Sequence, residues 1–165
     1  MAYIIYNGYP SMQTHIEEKA HLGLVYGYSD YMTLNDGDAV YMHVKSTKTA
    51  HIYWSITTDK SAATELYDNI DSSRITGGTQ VNLYNINRNY PDNPSTILMN
   101  GVTFTESTSD TVLDKVKQGI DSKKLKSGMD SNDFLILKPN INYVRKIESF
   151  DNTNIISISL RIIEE

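Results

Sequence analysis

The sequence predicts an all-β fold: one antiparallel β-sandwich of jelly-roll type with an extended N-terminal arm and one long lysine-rich loop. Three observations carry that expectation. Near the C-terminus Ile156, Ile158, Leu160 and Ile162 alternate with Ser157, Ser159 and Arg161, the period of two that marks a half-buried strand. Ile52, Trp54 and Ile56 alternate with His51, Tyr53 and Ser55 in the same way. Between such runs the chain is broken at short intervals by Gly, Asn, Asp and Pro, with no long helical pattern; that rhythm belongs to sandwiches and barrels.

At 165 residues the chain fits one domain able to bury roughly 70% of its unfolded surface. It holds 12 Tyr against 3 Phe. Tyrosine suits strands and also wet contact surfaces, because its ring buries area while its hydroxyl keeps a partner. A net charge of −5 opposes general nucleic-acid binding, which needs a basic surface. The absence of cysteine removes disulfides, thiolate zinc sites and a thiol nucleophile together. Met1-Ala2-Tyr3-Ile4-Ile5 lacks the basic flank and apolar run of a cleaved signal, and no segment approaches membrane-spanning length, so a soluble chain is expected.

Taken in order, residues 1–20 read as an extended arm holding Gly8, Pro10 and Ser11. Thr14-His15-Ile16-Glu17 has capping-box spacing and would open one helical turn, which Gly23 and Gly27 would end early. Residues 21–165 form the sandwich. Residues 22–28 make a glycine-interrupted strand, and Asn35-Asp36-Gly37-Asp38 reads as a hairpin turn leading into Val40, Met42 and Val44. The apolar trio Ile52, Trp54 and Ile56 is placed at the core's centre, where each side chain contributes roughly 1.5–3 kcal/mol. Residues 64–67 are a short strand, 76–78 a turn, 80–84 a strand and 90–94 a loop. Residues 97–105 return to strand, with a possible bulge at Gly101. Residues 111–133, with Lys115, Lys117, Lys123, Lys124 and Lys126, read as a long inserted loop with some helical spacing over 111–118. Loops of this length inside a compact domain are usually functional or disordered. The last strand ties the C-terminus into a sheet.

Each candidate chemical site has a plainer reading. His43 and His51 share the polar phase of their strands and would be neighbours if those strands pair; surface histidines need no metal, and a metal site would need further ligands. The Asp36–Asp38 turn lacks the spacing of a calcium loop. Glu17, Glu18, Glu65, Glu106 and Glu148 are candidates for a hydrolytic carboxylate pair, since such pairing is spatial, but none sits in a distinctive context and solvated faces are the favoured reading. No Gly-x-Ser-x-Gly elbow, phosphate loop or dinucleotide fingerprint occurs. No catalytic residue, metal or cofactor is therefore expected. Partner contact falls instead on Asn87 and Arg88, on the lysines Lys123, Lys124 and Lys126, and on Tyr3, Tyr6 and Tyr9, which recur every third residue in the arm. Beside these stand a structural role for Asn85, Asn87 and Asn89 at a strand exit, a solvated lysine face and a disordered tail.

The run from Ala50 to Thr58, then Glu65-Leu66-Tyr67, Val81 through Asn89, and Leu135-Ile136-Leu137-Lys138-Pro139-Asn140 with Tyr143 resembles the capsid decoration or cement proteins of tailed bacteriophages. Residues 15–21, Tyr26 and the Asp-Gly turn before Val40 extend the likeness over roughly residues 15–165. In that family the loop before the Leu-Lys-Pro-Asn strand tends to be glycine-rich; here it is lysine-rich. The resemblance implies a non-enzymatic virion protein on the outer capsid surface, oligomeric and typically trimeric, that binds the major capsid protein and staples neighbouring subunits. It implies no nucleic-acid or membrane partner. The alternative is a carbohydrate-binding module on a virion or secreted assembly. That reading would use Tyr41 and Tyr53, because Trp54 shares the buried phase.

Overall fold

The computed structural model describes residues 16–117 and 135–165 with their side chains, and the backbone alone of 5–6, 9–10, 12–15, 118 and 127–128. Short strands β1 (Ile5–Tyr6) and β2 (Tyr9–Pro10) pair with each other, and helix α1 (Met12–His21) follows. Then come β3 (Val25–Leu34), β4 (Ala39–Ser46), β5 (Ala50–Thr58), β6 (Ala62–Asp68), a 3-10 turn (Ser72–Arg74), β7 (Ile75–Gln80), β8 (Tyr84–Asn85) and β9 (Thr96–Phe104). The chain ends with β10 (Thr111–Gln118), β11 (Ser127–Gly128), β12 (Leu135–Leu137), β13 (Tyr143–Ser149) and β14 (Asn154–Glu164).

Two sheets result. One, the β13 sheet, has the order β10-β6-β13-β4-β9-β7; the other, the β14 sheet, has the order β11-β5-β14-β3-β8, with β12 also on β5. Set aside β7, β8 and β9, and what remains is β4-β13-β6-β10 facing β3-β14-β5-β12. From β3 to β6, and again from β10 to β14, the chain changes sheet at every step except from β11 to β12, which both lie on β5. That is the jelly-roll winding. Strands β7, β8 and β9 are an insertion between β6 and β10 that widens both sheets at the same edge.

The alternation read from the sequence sets the two inner faces. Ile52, Trp54, Ile56, Ile156, Ile158, Leu160 and Ile162 from the β14 sheet pack on Met42, Val44, Leu66, Leu98, Tyr143 and Ile147 from the β13 sheet. Trp54 is buried between them, at 3% exposure. One end of the sandwich is closed by buried Asn154. Its Oδ1 accepts from the Thr58 hydroxyl (2.6 Å) and the Lys60 N–H (3.2 Å), and its Nδ2 donates to the Ser61 carbonyl (2.9 Å) and Ser149 Oγ (3.0 Å). Four groups from three segments are thereby satisfied without water, as buried polar groups require.

Five expectations are corrected. Residues 12–20 are not extended: they belong to α1, whose narrow apolar face hid the helical period. Gly23 ends it, as expected, at φ +72° with its N–H on the Ala20 carbonyl and the Leu24 N–H on Lys19. The turn at 35–38 is closed by the Asp38 N–H on the Asn35 carbonyl (3.0 Å) but is no hairpin. It carries the chain between sheets, because β3 pairs along its length with β14 and β4 with β13. His43 and His51 therefore lie on different sheets. The span 76–78 is strand rather than turn, and β7 stops at Gln80. Gly78 (φ +82°) faces Gly101 (φ +68°) across an unbroken register, so Gly101 is no bulge; left-handed residues on both strands bend the pair together. Finally, residues 111–118 are the edge strand β10 on β6, not loop or helix. A shift between Val112 and Asp114 turns Asp114 toward the core, and that irregularity masked the strand period.

Candidate functional site on the β14 sheet

Of the expected contact residues, Asn87 and Arg88 lie in the insertion beside β8. Asn85, fully buried, donates Nδ2 to the Gly23 carbonyl (2.8 Å) and accepts the Asn87 N–H (3.0 Å) on Oδ1. The Asn87 Oδ1 accepts the Asn89 N–H (3.1 Å). This is the structural role set out for the asparagines. Arg88 binds locally through Nη1, 3.3 Å from Asp92 and 3.4 Å from the Asn85 carbonyl, while its side chain stays 71% exposed. Tyr3, Lys123, Lys124 and Lys126 lie outside the described residues, as do the side chains of Tyr6 and Tyr9.

Three of the candidate carboxylates do converge, on the outer face of the β13 sheet. The segments 69–75 and 104–110 cross that face strapped together by Arg74, which holds Asp110 (2.6 Å) and the Thr105 carbonyl (3.0 Å from Nε). Phe104 and Ile70 seal against Tyr67 and Val144, with Tyr41 at the margin. Glu106 on this strap accepts from the Tyr41 hydroxyl (2.7 Å), the Tyr67 hydroxyl (3.1 Å) and Lys146 Nζ (2.9 Å), while Lys146 also reaches Glu148 (3.2 Å). Glu65 bonds the Tyr67 hydroxyl and Lys115. Burial pushes the Glu106 carboxyl pKa up, but the Tyr41 hydroxyl and Lys146 outweigh it and leave it low. Lys115 and Tyr67 do the same for Glu65. A general acid needs a raised pKa; Glu65 and Glu106 are held ionised and occupied. Their arrangement is a clasp. Tyr41 belongs to it, with its hydroxyl pKa pushed up to about 12 by burial and Glu106.

The free surface lies on the other side of the molecule. Strands β3, β14 and β5 present their outward residues in registered rows: Ser29-Ser159-Ser55, Tyr31-Ser157-Thr57 and Gly27-Arg161-Tyr53. Ser29, Ser55, Thr57, Ser157 and Ser159 are exposed, and their side chains make no hydrogen bond among the described residues. They line an open depression of about 480 Å³ together with Asp30, Tyr31 and Ile158. Tyr31 stands at its rim at 74% exposure, and Ile155, one step along β14, is 50% exposed. Asp30 is turned to its own strand: it accepts the Tyr28 hydroxyl (2.9 Å) and the Tyr31 N–H (2.8 Å). That bond blunts the β3 edge against strand addition.

The depression itself is lined by alcohols beside Asp30, whose carboxylate is occupied within β3, and Arg161 lies one row away. The signal was in the sequence, in Ser157, Ser159, Ser55 and Thr57 on the outward phase of long strands, but only sheet register shows that they form one surface. Elsewhere, burial lowers the His43 pKa, and its Nε2 pairs with Asn142 (3.0 Å); His51 pairs with Glu165 (3.0 Å). Among the described residues, no three His, Asp or Glu side chains converge as metal ligands do. No helix among them is long and apolar enough to cross a membrane. The chain matches no family model, no curated protein and no solved structure.

Proposed function

We propose that this chain is a non-enzymatic structural protein that decorates the outer surface of a phage capsid and bridges neighbouring major-capsid subunits, with the hydroxyl-lined face of β3, β14 and β5 as its contact surface. The observation that supports this is the chemistry of that face: small exposed alcohols whose side chains have no partner among the described residues, on a packed sheet, rimmed by Tyr31 and Ile155. Short side chains lose little rotamer freedom on contact. Serine hydroxyls adapt as donor or acceptor, and tyrosine adds area at low entropic cost. With Asp30 occupied by Tyr28 and Arg161 one row away, the neutral alcohols that line the depression suit a protein surface better than a polyanion. Several copies acting together, as a homo-oligomer, would stabilise the assembled shell by binding it in preference to its free subunits.

The test adds purified protein to capsids assembled without it and reads the particle by cryo-EM. Density over capsomer junctions, and a higher temperature of shell disruption, support the proposal. Bare capsids at saturating protein would refute it.

A further inference from the structure

The insertion that widens the sandwich encloses a second depression, of about 450 Å³, unrelated to the sheet face. One wall is Gln80, Val81, Asn82 and Leu83, leaving β7; the other is Asp92, Asn93 and Pro94 with Thr96 and Ile97 at the start of β9. The side chains of Gln80, Asn82 and Asn93 have no hydrogen-bond partner among the described residues. Unspent amides converging on one hollow beside Val81, Pro94 and Ile97 describe a site, since ligand pockets join an apolar lining to a few convergent polar groups.

The charges narrow the ligand. Asp92 is the one ionisable lining residue. Behind it the buried Glu164 carboxylate accepts the Ser95 (2.9 Å) and Thr96 (2.7 Å) N–H groups, so an anion meets two carboxylates. A cation fares little better: Asp92 Oδ1 already accepts the Asn85 N–H (2.5 Å), and Arg88 lies 3.3 Å from it. A neutral molecule remains. Planar amides offer a donor and an acceptor side by side, which matches vicinal hydroxyls. Val81, Pro94 and Ile97 (42% exposed) supply the apolar strip that the C–H face of a pyranose needs.

We propose that the pocket between residues 80–83 and 92–97 binds a neutral polyhydroxylated ligand, a single sugar unit of a glycan, with Asn82 and Asn93 as its hydrogen-bonding residues. This site stands apart from the sheet face, so a particle could be held by one surface while the other meets a glycan.

The experiment is an NMR titration of the isolated ¹⁵N-labelled chain with glucose, galactose, mannose, fucose and N-acetylglucosamine, with glucuronate, glucosamine and calcium chloride as charged probes. The expected result is saturable shifts of the amides within 80–83 and 92–97 with at least one neutral sugar. The double variant N82A/N93A should weaken that binding at least tenfold while the signals of β14 stay in place. Three results overturn the proposal: no saturable shift with any neutral sugar, preferential binding of a charged probe, or shifts confined to residues such as Ser159 and Tyr31. Sugar selectivity of the unaltered chain decides the matter even if the variant fails to fold. Because no capsid is present, the outcome is independent of the decoration reading.

Discussion

Removing one carboxylate from an edge strand should cost this protein about as much as truncating a core side chain. Arg145 points inward from β13 at 1% exposure, its guanidinium carbon 5.4 Å from the Trp54 ring centre. Its Nη1 donates to Asp114 Oδ2 at 2.7 Å, and its Nε has no partner among the described residues. Burial pushes the Arg145 pKa down while Asp114 opposes the shift, yet the group stays charged because its ordinary pKa lies above about 12. Asp114→Ala would strand that cation, a change that costs about 3–5 kcal/mol for a buried pair. The Asp114 side chain is 21% exposed, so water reaches the gap and the lower end, about 3 kcal/mol, is expected. With a urea m-value of about 2–3 kcal/mol/M, the unfolding midpoint should fall by about 1–1.5 M. Arg145→Met with Asp114→Leu removes both charges and should recover most of the loss. The reasoning fails if D114A costs under about 1 kcal/mol, or if the double variant is no more stable than the single one.

Two further outcomes follow from the clasp and the insertion. Glu65, Glu106 and Asp110 have lowered folded-state pKa values despite some burial, the last through Arg74. The stability they contribute is fully present above the unfolded carboxyl value of about 4.3 and is lost as pH falls through the lower folded values. Glu106→Gln should flatten the fall in stability measured by urea unfolding between about pH 5 and 2; an unchanged slope would exclude the clasp as its source. Gly78→Ala and Gly37→Ala both force a residue to positive φ (+82° and +79°), but only at Gly78 would the new Cβ meet Val102 Cγ1, at 2.6 Å. Both should lose about 1–2 kcal/mol, with about 1–3 kcal/mol more at Gly78. Equal thermal shifts would contradict that contact.

The strand periods at 50–58 and 154–164 were legible in the sequence because both strands are central and bury one face each. So were the burial of Trp54 and the jelly-roll class. Partnership was not. Asp-Gly at 36–37 signals a tight turn but cannot say whether the strands it joins pair or face each other across a core. Strand β10 was hidden because Asp114 replaces an apolar residue at an inward position and the bulge breaks its period. The glycines at 23 and 27 read as breakers, and Gly23 is one. They are also seats for rings: a Cβ at Gly23 would fall 2.4 Å from Tyr90, and one at Gly27 2.7 Å from Tyr84. That close approach between distant segments has no local signature. Three of the five carboxylates, Glu65, Glu106 and Glu148, meet on one face, where Lys115 from β10 and Lys146 from β13 pair with them; that convergence depends on sheet register and has no local signature.

The account rests on the β3-β14-β5 face being an adhesive surface. Ser159 sits at its centre, exposed, between Ser29 and Ser55, so Ser159→Lys plants an unpaired charge there without touching the core. Capsid occupancy of the purified S159K chain, counted by cryo-EM beside the unaltered protein, is the direct measurement. A loss of tenfold or more in occupancy, with an unchanged unfolding midpoint, is what the account predicts. Full occupancy by the lysine variant would contradict it.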